Sequence, residues 1–396
     1  MSLPWRAGTA LSPEAYQRVR RKAIFQYHKW DQQVGDVATF CPYPLILERE
    51  AWREVTAWAE ALAAETLAME TELLSRPELH ARLGLPPAIV RHLRAKPSAS
   101  PGVARLIRFD FHWTTEGWRI SEANTDVPGG WNEATGYPEL LAPHYPELQP
   151  VEGMADRYAH VLAKTVPTGG TISLVHATAY TDDRQAMVLL AEKLQGLGIH
   201  AKLMSPEQVE WKSGRTPFDA LVRYYPGEWL PNLPRRSAWS HFLSGSLTPI
   251  SNPATALLTQ SKRLPLLWDH LRTPIPTWRK LLPACADPQE VSWETDPAWV
   301  VKPALGRVGH GIGLRECLSE KEWLAIRKDV RRYPGQWVAQ RRFEIVPLTV
   351  PNGVAYPCLG VYTIDGQAAG AYGRLASRAL VDNQAQDIAV FLTPPP

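Results

Sequence analysis

The chain has 396 residues, 45% of them hydrophobic and 21% charged, with a formal net charge of +3. At roughly 100–200 residues per domain this is room for two or three cores, and a charge so near balance gives no reason to expect nucleic acid or an acidic membrane surface as partner. Four well-separated cysteines without metal-like spacing (Cys41, Cys285, Cys317 and Cys358), no apolar leader and no run of about 18 apolar residues together read as a soluble cytoplasmic protein with reduced thiols.

Ser12-Pro13-Glu14 is a helix start, with a hydroxyl for the cap and proline at the first position. From Leu47 to Ser75 the chain is rich in Ala, Glu, Leu and Trp without proline and reads as one long helix. Shorter helical pieces follow between Pro77 and Arg94. Residues 1–104 are therefore expected to form a helical N-terminal region, and no chemical signature stands out in it. The 16 tryptophans are scattered rather than periodic, as core and interface filler would be.

Leu106 to Asn124, LIRFDFHWTTEGWRISEAN, alternates with a period of two. Arg108, Asp110 and His112 point one way, and Ile107, Phe109, Phe111 and Trp113 the other. After Thr115-Glu116-Gly117 the alternation resumes, with Trp118, Ile120, Glu122 and Asn124 expected on one face. A three-residue loop ending in glycine suits a hairpin. It would pair Thr114 with Trp118, Asp110 with Glu122 and Arg108 with Asn124. Two carboxylates facing each other repel by roughly 0.2–1 kcal/mol unless a cation lies between them. Mg²⁺ takes such oxygens, while spacing alone equally describes a solvated polar face.

Helical segments around Met154–Lys164 lead on from the turn-rich loop at 125–133. Thr171 to Leu203 then gives strand, amphipathic helix and strand, with FDALVRYYPGEW as a further strand, a βαβ-like unit at 166–251. Ligands bind beyond the strand ends of such sheets, so the Ala177–Asp183 loop is a candidate substrate edge, with Asp182 or Asp183 as helix caps. The glycines do not form a dinucleotide fingerprint. From Asn252 a helix ends in Ser261-Lys262-Arg263 and runs on through LPLLWDHL. AWVVKP is a strand carrying Lys302, and a lysine on an apolar strand needs a partner. Gly306, Gly309, Gly311 and Gly313 follow within eight residues, freeing backbone amides to approach a phosphate. Residues 320–333 read as a surface helix and Gln336–Phe343 as a strand. Two strands joined by Asp365-Gly366 bring Arg374 near the second strand's end.

In this order the pieces resemble the glutathionylspermidine synthetase family of ATP-grasp ligases, over roughly residues 100–396. Arg108-x-Asp110 followed by Glu122-x-Asn124 resembles the family's metal and phosphate segment. Leu257–Lys262 resembles its first ATP lysine segment, and Val301-Lys302-Pro303 with Gly306-Arg307-Val308-Gly309 its second lysine and glycine-rich lid. Trp337–Gln340 resembles the adenine hinge, and Gly360–Arg374 the closing hairpin with its arginine. Two departures stand out: in the lid, Gly306 and Val308 replace the family's serine and glutamate, and after the arginine Leu375 replaces its glutamate. Both put the substrate in question more than the ATP chemistry.

The resemblance implies an α/β (α+β) ATP-grasp fold with a preATP-grasp-like βαβ domain. Residues 105–165 would belong to the ATP-grasp core, with 252–396 forming its nucleotide-binding region. It implies an ATP- and Mg²⁺-dependent carboxylate–amine ligase acting on small molecules, glutathione- or polyamine-like, through an acyl phosphate. Asp110, Glu122 and Asn124 would hold the metal. Lys262, Lys302, Gly306, Arg307, Gly309, Gly311 and Gln340 would bind ATP, with Arg108 and Arg374 at the reacting phosphoryl. His310 reads as a loop histidine, and Asp382-Asn383 as either site residues or a turn. The competing readings are a catalytically silent ATP- or peptide-binding module and a ligase acting on a peptide or protein.

Overall fold

The computed structural model describes residues 3–95, 100–306 and 311–395. Its central feature is an antiparallel sheet in which the strands run in the order Gln386–Ile388, Gln367–Ala376, Gly353–Ile364, Leu106–Thr114 and Gly117–Asn124, with Leu348–Val350 pairing at the side. One face is apolar. Phe109, Phe111, Trp118, Ile120, Leu359 and Val361 are buried on it in the largest hydrophobic cluster, each stabilising the fold by roughly 1.5–3 kcal/mol. The helix Arg49–Leu74 covers this face with Val55, Ala59, Leu62, Ala63 and Met69, at the three- and four-residue spacing of a helical stripe.

The first hundred residues are mostly helical, with helices at Pro13–Tyr27, Arg49–Leu74 and Pro87–Ala95, and Ser12 caps the first by accepting from the Ala15 amide. They also supply the strands Trp5–Ala7 and Leu45–Leu47, which form a sheet with Val390–Leu392 and Gln149–Pro150. The N-terminal segment is thereby tied to the far end of the chain.

The βαβ-like unit is present as a fully parallel sheet of Ile250–Ser251, Ala220–Arg223, Thr171–Val175 and His200–Met204, with the helix Thr181–Gly196 as crossover. Asp182 and Asp183 do not cap that helix. They lie in its first turn, and its cap residue is Tyr180, without a side-chain bond. Asn252 fixes the unit to the central sheet: its side chain accepts from the Leu106 amide and donates to the Leu106 and Asp126 carbonyls. Buried Arg223 pairs with Asp126 beside it.

The helix expected from Asn252 through LPLLWDHL is broken into Ala254–Ala256, Leu257–Gln260 and Leu264–His270. The break is at Ser261, whose backbone is extended and whose hydroxyl donates to the Leu83 carbonyl; Pro265, lacking an amide proton, sets the next piece. A three-stranded antiparallel sheet of Cys285–Ala286, Trp337–Arg341 and Trp299–Pro303 completes the layout. The four cysteines are unpaired. Among the described residues no helix is long and apolar enough to cross a membrane.

Candidate active site

The hairpin reaches the expected pairs by an unexpected route. Thr114 pairs with Gly117 and Trp113 with Trp118, one residue short of expectation. An extra residue, Ser121, bulges out between the Phe111–Ile120 and Asp110–Glu122 pairs and restores the register. Asp110 thus faces Glu122, and Arg108 faces Asn124. The bulge also corrects the expected single face of Trp118, Ile120, Glu122 and Asn124. Trp118 and Ile120 are buried in the core, whereas Glu122 and Asn124 line a cavity on the opposite side, because one inserted residue inverts the alternation beyond it.

The rows across the sheet then build the site. Asp110 lies between Glu122 and Gly360, and Gly360 is followed across the sheet by Tyr372. Cys358 is followed by Arg374, and Arg374 by Asp387. All of them line a cavity of about 420 Å³. A glycine is required at 360, since a Cβ there would stand 2.7 Å from Arg108 Cδ and 2.9 Å from Asp110 Oδ1. Gly130 is required for two reasons: its φ is +89°, and a Cβ would meet the Tyr372 ring at 2.7 Å.

Arg108 grips Asp110 with both ends of its fork, Nε to Oδ1 at 2.7 Å and Nη2 to Oδ2 at 2.9 Å, and donates to the Gly129 carbonyl. Asn124 Nδ2 reaches Asp110 Oδ2 at 3.1 Å and Glu122 Oε1 at 3.4 Å. Lys262, turned inward by the break at Ser261, contacts Glu122 at 3.0 Å and donates to the Gly306 carbonyl. Lys302 donates to the Ser121 carbonyl at 3.1 Å, the group that the bulge presents. Burial would raise the Glu122 carboxyl, but Lys262 and Lys302 outweigh it and hold it at about 2. Burial lowers the Lys302 ammonium to about 8, with Lys262 pushing the same way and Glu122 opposing. His112, buried beside Lys302, is depressed to about 4 and is neutral at pH 7.

Gln340 lines the cavity, as do Arg374, Asp382's neighbour Asn383, and the apolar side chains of Ile312 and Leu314. Arg374 donates to the carbonyls of Asp382 and Ala385, and its buried Nε has no partner. The expected lid divides. Gly306 contributes its carbonyl to Lys262, while its amide bonds back to Pro303, so that amide is not free for a phosphate. Gly311 takes φ +74° against Pro303 and Trp337 and is not among the cavity-lining residues. Arg307, Gly309, Val308 and His310 lie outside the described residues.

One wall has no counterpart in the sequence reading. Lys29 is 4% exposed and contacts Glu133, with Asp31 at 2.8 Å and Asp387 at 3.6 Å. Burial would lower this ammonium, but the three carboxylates raise it. Tyr372 donates to Asp387 Oδ1 at 2.6 Å, and burial, with Glu133 adding to it, pushes Asp387 up to about 6. Asp182 and Asp183 line the same end.

The residues suit Mg²⁺ and a polyphosphate. Two carboxylates and an amide oxygen are hard donors for Mg²⁺, and the adjacent buried cations match phosphate oxygens. Among the described residues no group of three or more His, Cys, Asp or Glu is arranged for a metal, so substrate oxygens would have to complete the shell.

The model of the family described as glutathionylspermidine synthase preATP-grasp matches residues 12–392. A solved glutathione synthetase-like effector from Globodera pallida, in its apo form, aligns over 97% of this chain and 100% of its own, with 11% identity and a TM-score of 0.62. A putative gamma-glutamylcysteine synthetase from Methylobacillus flagellatus aligns over 82% of this chain and 86% of its own, with 13% identity and a TM-score of 0.42. No curated protein matches the sequence. The first likeness bears on the fold alone and agrees with a mixed α/β, ATP-grasp-related architecture. With nearly its whole length matched, the chain belongs to the glutathionylspermidine synthase preATP-grasp family.

Proposed function

We propose that the protein joins a carboxylate to an amine at the expense of ATP. The observation that carries this reading is the meeting in one cavity of Arg108, Asp110, Glu122 and Asn124 on one hairpin with Lys302 and Arg374 from two other segments, with Lys262 held against Glu122 although it does not itself line the cavity. A substrate carboxylate oxygen would attack the γ-phosphorus, and ADP would leave. An amine nitrogen would then attack the acyl carbon of the acyl phosphate, expelling phosphate and giving up a proton. Such chemistry depends mainly on positioning and charge neutralisation.

Mg²⁺ held by Asp110, Glu122 and Asn124 would neutralise phosphate oxygens. Lys262 and Lys302, beside Glu122, would bind the same phosphates. Arg374, with a buried N–H to spare, would bond the oxygen on which charge develops, where one lost donor costs about 3–4 kcal/mol. Arg108 would present Asp110 in a fixed orientation through its bidentate grip. Ile312 and Leu314 on the cavity wall would keep water from the acyl phosphate. The acidic end, with Asp31, Glu133, Asp182, Asp183 and Asp387 around Lys29, favours a cationic amine over a second anion.

The test is incubation of the purified protein with ATP, Mg²⁺ and paired panels of acids and amines, glutathione and polyamines included. ADP and phosphate should appear with an amide product detectable by mass. AMP in place of ADP would refute the acyl phosphate, and ATP binding without turnover across the panels would mark a silent binding module.

A further inference from the structure

Beyond the carboxyl ends of the parallel strands lies a second recess of about 380 Å³. It is formed by the Ala177–Asp183 loop and by the segments after His200–Met204 and Ala220–Arg223. The loop divides it from the main cavity: Tyr180 walls the recess while Asp182 and Asp183 wall the cavity, and likewise Tyr225 and Tyr224 face different sides. Nothing in the proposed ligase reaction uses this recess.

Its lining has a definite chemistry. Tyr180, Tyr225 and Trp229 form an aromatic wall, with Trp229 ring centroids 5.5 Å from Tyr180 and 6.0 Å from Tyr225. Tyr180 is nevertheless 56% exposed, a large ring held at an open mouth. Glu207 adds a carboxylate, which Arg236 approaches only at 4.0 Å from a largely solvated position. Burial raises the Tyr225 phenol, and the nearby carboxylates of Glu207 and Glu228 add to it, while Arg184 acts on His176 from the other direction. The fourth element is His176, 1% exposed and part of the lining. Its Nδ1 lies 3.2 Å from the Leu174 carbonyl, an acceptor only, so Nδ1 must carry the proton. Burial lowers this histidine further. Nε2 is therefore a lone-pair acceptor, and it is buried without a partner, a state that costs free energy unless a donor arrives.

An occupant must offer an N–H donor to His176, tolerate aromatic faces and carry positive charge for Glu207. We propose that this recess is a second binding site, separate from the main cavity, for a small organic ammonium or guanidinium ion. Cations are drawn to aromatic faces by the ring quadrupole, and the carboxylate adds to that attraction.

The probe is n-butylguanidinium, titrated by ligand-observed NMR against the full-length protein, with n-butylurea as an uncharged isostere that keeps the N–H donors. Butylguanidinium should bind at least about tenfold more tightly than the urea. Tyr180→Ala should weaken it by about threefold, the size of one exposed cation–π contact, and Glu207→Gln by a similar factor. His176→Phe, keeping a ring but no acceptor, should weaken binding of both probes; if that variant does not fold, the two surface variants decide. Asp31→Asn, at the acidic end of the main cavity, should leave the affinity unchanged. Equal affinity for the urea, no binding by about 10 mM, or loss in Asp31→Asn with retention in Tyr180→Ala would overturn the assignment.

Discussion

Lys302 makes a quantitative prediction about how phosphate binds. Its ammonium is lowered from the ordinary 10.5 to about 8 because it is buried, beside Lys262, with Glu122 compensating only in part. A polyphosphate in the cavity would supply the missing negative charge and return the lysine to full protonation. Binding must then take up protons in proportion to the neutral fraction, about 0.1 per site at pH 7, 0.5 at pH 8 and 0.9 at pH 9. Calorimetric titration of a non-hydrolysable ATP analogue with Mg²⁺, in buffers of differing ionisation enthalpy, reads this number directly. Glu122, held at about 2, does not titrate in that window; Asp387, at about 6, is still about 0.1 protonated at pH 7 but only about 0.01 at pH 8, so the readings at pH 8 and 9 isolate Lys302, and Lys302→Met should abolish the uptake there. The same depression bears on stability. The unfolded chain binds the proton up to pH 10.5 and the folded one only to about 8, so burial of this lysine costs roughly 3 kcal/mol below pH 8, and the cost is relieved as pH rises from 8 to 10.5. Zero proton uptake at pH 8, or uptake that survives Lys302→Met, would refute the placement of a phosphate at this ammonium.

Asp110→Asn leaves the buried Arg108 without its bidentate partner and should cost about 3 kcal/mol in urea unfolding. Turnover should be lost while far-UV circular dichroism is retained. Gly360→Ala places a methyl group 2.7 Å from Arg108 and should cost about 1–3 kcal/mol; it should also cut turnover by displacing the Arg108–Asp110 pair. Asp387 is raised from 3.8 to about 6 by burial, so its protonated form favours the folded state below pH 3.8 and that contribution is lost as pH rises through 6. The stability of the wild type relative to Asp387→Asn should therefore decline between pH 4 and pH 6, as measured by thermal melts.

Local periodicity located the long helix, the parallel unit, the Asp365-Gly366 hairpin and the polar face of Arg108, Asp110 and His112, because those depend on neighbouring residues. Two features escaped it. The bulge at Ser121 leaves no mark in composition, yet it sends Glu122 to the cavity and Ile120 to the core, and it presents the carbonyl that Lys302 uses. The acidic end joins Lys29, Glu133 and Asp387, residues more than a hundred positions apart, and no local pattern reports a pairing of that kind. Tyr372 was closer to hand: two residues before Arg374 on the same strand, it shares that residue's face.

The hairpin acids and Lys262 are in competition, and that competition is measurable. Lys262 occupies one oxygen of Glu122 at 3.0 Å, and Asn124 offers its amide nitrogen to Asp110 and to the other oxygen of Glu122. Carboxylates only accept, so the amide must present nitrogen while the acids have no cation between them. A metal there requires the opposite: Asn124 turned to show its oxygen, and Glu122 released from Lys262. On the proposed assignment, metal and lysine exclude each other at Glu122 until a polyphosphate gives Lys262 another partner. Lys262→Met should therefore raise the affinity for Mn²⁺ without nucleotide by about tenfold, or roughly 1.4 kcal/mol, while weakening the affinity for the ATP analogue. Electron paramagnetic resonance of free Mn²⁺ measures the first effect and calorimetry the second. Mn²⁺ binding that is unchanged or weaker in Lys262→Met would mean that Glu122 serves as the counterion of Lys262 rather than as a metal ligand.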